Sequence, residues 1–186
     1  MNNTKILIHL LENRQEQFTI NQISKRLGLN YRIAHTEVKK LEKDKIIQIQ
    51  KAGKSLLCSL TDNFDENIYL AEYQRRQDLL KNKTFKQVIE RYRQAKQCYI
   101  LLLFGSYAKG LQTKLSDIDL LAITENPKEL EEITDLIPMK IHLTTVSYKE
   151  FLNMKKSKET TVGTEVMKKN VILIGIEEYY RLINDR

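Results

Sequence analysis

Apolar and polar residues follow two periods along this chain. Residues 5–12 (KILIHLLE) read as a short amphipathic helix. After Phe18-Thr19-Ile20, residues 21–47 predict a helix, a turn at Gly28 and a second helix. In that second helix Ala34, Val38 and Leu41 recur at helical spacing and should face a core, and Asn30 is suited to cap it. IIQIQ, a turn at Lys51-Ala52-Gly53-Lys54, and SLLCSL then read as a hairpin. Residues 62–83 are polar and helical in pattern, with Tyr69, Tyr73, Leu79 and Leu80 available for packing.

In the second half the two periods alternate. Thr84-Phe85-Lys86-Gln87 predicts a capping box opening a helix with Phe85, Val88, Ile89 and Tyr92 on one face. A strand follows at Tyr99–Phe104. Asn126-Pro127-Lys128-Glu129 supplies a cap, a proline at the first helical position and a capping Glu. Residues 139–146 (MKIHLTTV) read as a strand, and Ser147-Tyr148-Lys149-Glu150 as another capping box before a helix. From Thr161 the chain predicts a helix, the short apolar run VILI, and a last helix from Glu177. This is an α+β pattern built on a small mixed sheet.

Composition narrows the class. Hydrophobic residues at 41% and charged residues at 30% suit a soluble globular protein with a real core. No apolar run approaches the ~20 residues of a membrane helix. The N-terminus MNNTKILIHLLENR lacks a signal-peptide pattern, so a cytoplasmic location without membrane contact is expected. Cys58 and Cys98 have no metal or redox spacing and are expected as reduced, partly buried thiols. The net charge of +7 is uneven: residues 1–60 carry 11 Lys/Arg against 5 Asp/Glu, whereas residues 99–186 carry 12 against 13. The basic excess of the first third points to a nucleic-acid partner there.

Three helices and a hairpin, in that order within residues 1–61, resemble the winged-helix class of helix-turn-helix DNA-binding domains. The residues off the core stripe of the second long helix then point outward: Tyr31, Arg32, His35, Thr36, Lys39 and Lys40. Arg32 and His35 suit base edges of duplex DNA, and Lys39 and Lys40 suit phosphates. Lys51 and Lys54 flank the hairpin tip and could touch the DNA backbone. A homodimer reading a two-fold site fits such a domain; the same fold can also serve dimerisation or protein contact.

The most informative segment is Leu101–Thr124, LLLFGSYAKGLQTKLSDIDLLAIT. An apolar strand runs into Gly105-Ser106, and Asp117-Ile118-Asp119 follows in a second apolar run. On a strand of period two, both carboxylates project from one face. Two adjacent carboxylates repel, so the arrangement calls for a cation between them. Gly105 allows close backbone approach to a phosphate, and Ser106 can cap the next helical turn. These are parts of a metal-dependent site for nucleotide phosphates.

Phe104-Gly105-Ser106-Tyr107-Ala108-Lys109-Gly110 followed by Ser116-Asp117-Ile118-Asp119-Leu120 resembles the signature of the polymerase-β-like nucleotidyltransferases, most of all their minimal prokaryotic branch. The resemblance covers about residues 85–186. It implies that Asp117 and Asp119 bind one or two Mg²⁺, with Mn²⁺ as an alternative, and act in catalysis. It implies that Gly105 and Ser106 hold the phosphates of a nucleoside triphosphate. Lys109 stands where members often carry Arg, and can neutralise phosphate as a point charge. The implied reaction moves a nucleoside monophosphate to an acceptor hydroxyl and releases pyrophosphate.

One departure is large. Active members carry a third carboxylate on a later strand, and the matching position here is His142. Its imidazole could act as a base or ligate Mn²⁺ or Zn²⁺, but it cannot supply the negative charge Mg²⁺ prefers. Glu150 and Glu165 are the other carboxylates within reach of such a role, but both sit on predicted helices, where a solvated surface or a capping role is expected. The expected organisation is a winged helix over 1–61, a helical connector over 62–83 and a nucleotidyltransferase-like domain over 84–186. Two functions fit it: a nucleotidyltransferase, or a DNA-binding regulator whose degenerate transferase domain senses nucleotide or mediates assembly. Minimal nucleotidyltransferases often pair with a small helical toxin-like partner protein, on which this sequence is silent.

Overall fold

The computed structural model describes residues 2–53, 55–113, 115–156 and 162–184. The fold is α+β and divides into two compact units, Met1–Glu72 and Tyr73–Arg186.

In the first unit, α1 (Asn2–Glu12) buries Ile6, Leu7, Leu10 and Leu11. Strand β1 (Phe18–Thr19) leads directly into α2 (Ile20–Leu27). Thr19 caps that helix through a full capping box: its hydroxyl accepts from the Gln22 amide, and the Gln22 side chain accepts from the Thr19 amide. Gly28, in the left-handed region at φ +62°, ends α2. Helix α3 (Tyr31–Lys43) starts at Asn30, whose side chain accepts from the Arg32 amide, and buries Ala34, Val38 and Leu41 as their spacing predicts. The hairpin of β2 (Ile47–Ala52) and β3 (Ser55–Leu60) pairs antiparallel, with β1 on its other edge in the order β1-β3-β2.

His9 lies in this core against the Phe18 ring, with 4.6 Å between centroids, and its Nε2 is enclosed without a hydrogen-bond partner among the described residues. Burial, and then the charge of Arg26, lowers its pKa. A His held neutral in the fold binds fewer protons than in the unfolded chain. Its stabilising contribution is therefore complete above the unfolded value of about 6.5 and is lost as pH falls below it. Thermal melts between pH 7 and pH 5 should show a falling midpoint, with a smaller slope in His9→Leu. An unchanged slope in that variant would exclude His9 as the cause.

Residues 62–83 are largely helical as their pattern predicts, with Leu79 and Leu80 packed against a core, but the buried face is partly polar. Helix α4 (Glu66–Leu80) buries Ile68, Ala71, Glu72 and Arg75, while Tyr73 is half exposed. Glu72 is buried because Arg14 Nη2 reaches its carboxylate at 2.6 Å, and Arg75 donates to the Asn170 carbonyl at 2.6 Å. Polar residues sit inside because each meets a partner of matched chemistry.

The second unit holds a four-stranded mixed sheet among the described residues. Helix α5 (Lys83–Tyr92) is capped by Asn82, whose side chain accepts from the Thr84 amide, so Thr84 is not the cap the sequence suggested. It buries Phe85, Val88, Ile89 and Tyr92, each worth about 1.5–3 kcal/mol against exposure. Strand β4 (Ile100–Phe104) is wholly buried and runs into the short α6 (Gly105–Lys109). Strand β5 (Ile118–Ile123) pairs antiparallel with β4. Helix α7 (Pro127–Asp135) has its expected proline, but the Asn126 side chain makes no capping bond and Glu129 accepts instead from the Lys96 amide. A partner distant in sequence has captured the capping Glu.

Strand β6 (Ile141–Val146) pairs parallel with β5 as an edge strand. Helix α8 (Tyr148–Lys156) keeps its predicted box: Ser147 Oγ accepts from the Glu150 amide and Glu150 accepts from the Ser147 amide. Helix α9 (Val162–Lys168), strand β7 (Val171–Ile174) and α10 (Ile176–Asn184) complete the order β6-β5-β4-β7; Thr161 lies outside the described residues. Leu101, Leu103, Ile118, Leu120 and Ala122 face α5 and α7 in one core. Cys58 is buried, with burial pushing its thiol up to about 11, whereas Cys98 is exposed and so not the half-buried thiol expected. No described helix is long and apolar enough to cross a membrane.

Candidate active site

Three strands carry the candidate site in register. Phe104 on β4 stands opposite Asp119 on β5, and Asp119 stands beside His142 on β6. Alternation sends Ile118 and Leu120 into the core and leaves Asp117 and Asp119 on the other side, both half-buried. The paired carboxylates therefore share a face, as the period of two predicts.

Gly105 closes this face. Its φ of +70° favours glycine, and a Cβ built on it would lie 2.1 Å from Asp119 Oδ2. Asp119 is thus seated directly on the backbone where β4 turns into α6. Ser106 is not the cap expected from sequence: the N-cap is Phe104, with no side-chain bond, and Ser106 is the second helical residue. It is half-buried, and its hydroxyl has no partner among the described residues.

Each carboxylate faces a base from the neighbouring edge strand. Lys140 Nζ lies 2.9 Å from Asp117 Oδ2, and His142 Nδ1 lies 3.6 Å from Asp119 Oδ1. Lys140 escaped the sequence reading. A Lys140-Ile141-His142 triplet mirrors Asp117-Ile118-Asp119, but only the parallel pairing of Ile118 with Ile141 makes the match meaningful. Lys109 is ion-paired with Glu165 of α9, so Glu165 approaches the site through a lysine. Glu150 stays with Ser147, whose amide and hydroxyl hold its carboxyl below the ordinary range.

No group of three His, Cys, Asp or Glu side chains forms a metal cage among the described residues. A cage is not required: Mg²⁺ commonly takes one or two carboxylates and completes its shell with substrate phosphates and water. Asp117 Oδ1 is enclosed and has no hydrogen-bond partner among the described residues. That orphaned oxygen, next to Asp119 on a face closed by Gly105, fits a hard divalent cation.

In the first unit, Tyr31, Arg32, Thr36, Lys39 and Lys40 are exposed on α3, and His35 is half-buried with its ring 6.1 Å from that of Tyr31. Lys39 pairs with Glu42 at 2.7 Å and Lys40 with Glu37 at 3.6 Å, whereas Arg32 has no ion-pair partner among the described residues. Thr36 donates back to the Arg32 carbonyl at 2.9 Å. Lys51 is exposed at the end of β2; Lys54 lies outside the described residues.

Residues 83–178 match the family model described as "Nucleotidyltransferase domain". No curated protein matches the chain. Among solved structures, reduced HlyU from Vibrio cholerae is 19% identical, with 41% of this chain and 76% of that one covered at a TM-score of 0.35. A protein of Archaeoglobus fulgidus is 16% identical, covering 44% and 88%, at 0.37. A variant of Lactococcus lactis ZitR is 18% identical, covering 48% and 60%, at 0.36.

Proposed function

The chain belongs to the nucleotidyltransferase-domain family, and from that membership we propose that its second unit transfers a nucleoside monophosphate from a nucleoside triphosphate to an acceptor hydroxyl. The observation that carries this reading is the seating of Asp119 on Gly105, beside an Asp117 whose Oδ1 has no partner among the described residues. When bound by Asp117 and Asp119, Mg²⁺ or Mn²⁺ would supply charge neutralisation on the triphosphate.

The chain's own residues supply the rest. Gly105 lets phosphate oxygens approach the backbone, and the Ser106 hydroxyl can donate to one of them. Lys109 adds a point charge, which Glu165 orients. The acceptor oxygen attacks the α-phosphorus in line, the bond to the pyrophosphate oxygen breaks, and the hydroxyl proton passes to the His142 imidazole. Asp119 Oδ1 lies 3.6 Å from Nδ1 of that ring.

The first unit reads as a winged helix-turn-helix that brings the enzyme to duplex DNA, with a homodimer suited to a two-fold site. Arg32→Ala should weaken duplex binding by about tenfold, since a base-edge arginine contributes about 1–3 kcal/mol. Mobility shifts at two salt concentrations check this. Unchanged affinity would remove Arg32 from the interface.

A second reading follows from Lys140 and His142. These bases sit on the two carboxylates, and the third carboxylate is missing, which suits a regulator that binds nucleotide without turning it over. The deciding experiment incubates the full chain with α-labelled NTPs, Mg²⁺ or Mn²⁺ and candidate acceptors. Metal-dependent transfer of label with release of pyrophosphate supports the enzyme. NTP binding without either product supports the regulator.

A further inference from the structure

A basic pocket lies within the second unit, between the C-terminal half of α4 and α5. It encloses about 480 Å³ and is lined by Tyr73, Arg76, Lys86 and Arg93, with Leu80 and Ile89 as its apolar floor. Lys81 also lines it, but is held by Asp78 at 2.6 Å; Glu90 is the one acidic lining residue. Helix α5 covers the sheet face of Ile118 and Leu120, not the face that carries Asp117 and Asp119.

Arg76 is the fixed element. Its Nη1 donates to the Leu173 carbonyl at 3.2 Å, and its guanidinium lies 5.0 Å from the Tyr73 ring centroid. Its Nε is enclosed without a hydrogen-bond partner among the described residues. Burial, then the charge of nearby Arg93, lowers its pKa from the ordinary arginine value. Lys86 and Arg93 are exposed and have no ion-pair partner among the described residues. Three cations thus converge on one pocket with a single opposing carboxylate, and like charges held together are relieved by an anion between them.

We propose that this pocket binds phosphate groups, as an anion site distinct from the Gly105–Asp119 centre. A preorganised guanidinium flanked by a second Arg and a Lys offers several charge-assisted donors, which a phosphate with three or four acceptor oxygens can satisfy together. The volume exceeds one phosphate, and Leu80, Ile89 and Tyr73 give apolar and aromatic surface beside the cations. That combination suits phosphate carried on a nucleotide or along a nucleic-acid backbone. The inference stands independently of the transferase reading, because none of these residues belongs to the candidate active site.

The test uses the full chain in EDTA, so that metal-bridged phosphate binding at Asp117 and Asp119 is suppressed. Pyrophosphate is titrated by calorimetry, and a labelled single-stranded oligonucleotide by anisotropy. The Lys86→Ala/Arg93→Ala double variant removes two exposed side chains and should keep its fold. It should bind at least one of the two probes about tenfold more weakly. Lys128→Ala/Lys149→Ala, which removes two exposed lysines of the same unit outside the pocket, should leave that binding unchanged. A response to pyrophosphate assigns the site to free polyphosphate, and a response to the oligonucleotide alone assigns it to nucleic-acid backbone. The proposal is overturned if neither probe senses the double variant, or if the loss appears equally in Lys128→Ala/Lys149→Ala. Binding of a polyglutamate peptide as tightly as either phosphate probe would overturn it too.

Discussion

Asp117→Asn is expected to abolish nucleotidyl transfer, lowering turnover by about 10³-fold or more while leaving the fold intact. The substitution preserves shape and removes one negative charge from a site proposed to act by neutralising phosphate. Losses of about 10²–10³ follow from deleting a single preorganised electrostatic partner, and here the lost group is also a proposed metal ligand. Stability should change by no more than about 1 kcal/mol, because the ion pair given up is with Lys140, whose side chain is largely solvent-exposed. Pyrophosphate release and metal-dependent calorimetric binding of NTP, read alongside a thermal melt, make the measurement. A variant that keeps a tenth of the wild-type rate would sink the assignment of Asp117 as a ligand.

Gly105→Ala should damage both stability and nucleotide binding. The left-handed backbone costs a β-carbon about 1–2 kcal/mol. The Cβ would also stand 2.1 Å from Asp119 Oδ2 and 2.9 Å from its Cγ, so the carboxylate must leave its seat. Overpacking of this kind adds about 1–3 kcal/mol. A lowered denaturation midpoint together with lost metal-dependent NTP binding is the expected pair of results. Gly110→Ala is the control: Gly110 has the same φ of +70°, yet nothing lies within 4 Å of its Cβ position, so it should show the backbone cost with binding retained. If the two variants behave alike, the close approach of Gly105 to Asp119 has no functional consequence.

Much of the local chemistry was legible where both partners sit within a few residues. Asn30 caps α3, Ser147 and Glu150 close their box, and VILI is the strand Val171–Ile174. Each depends on geometry that a short stretch of backbone carries by itself. Two misreadings fell where a distant group competed. Glu129 fits a capping box by spacing, but the Lys96 amide, 33 residues away, takes its carboxylate. The connector looked polar because Glu72 and Arg75 look polar; Arg14 and the Asn170 carbonyl make them buried residues. Asn82 displaced Thr84 as a cap because both residues are good caps and propensity alone does not choose between them.

The candidate site divides the same way. Asp117 and Asp119 share a face because a strand's side chains alternate, and that follows from three consecutive residues. Gly105 announces a special backbone position, again locally. These features, with the charge asymmetry and the apolar spacing, are what the sequence determined unaided. Which atoms face them is another matter. That Gly105 meets Asp119, that Lys140 lies on Asp117 and His142 beside Asp119, and that Glu165 takes Lys109 all depend on strand register and on α9 packing. The convergence of Arg76, Lys86 and Arg93 likewise depends on how α4 lies against α5. Period is a property of one backbone segment. Register and packing arise only when segments tens of residues apart close a sheet over a shared core, and only the tertiary structure decides them.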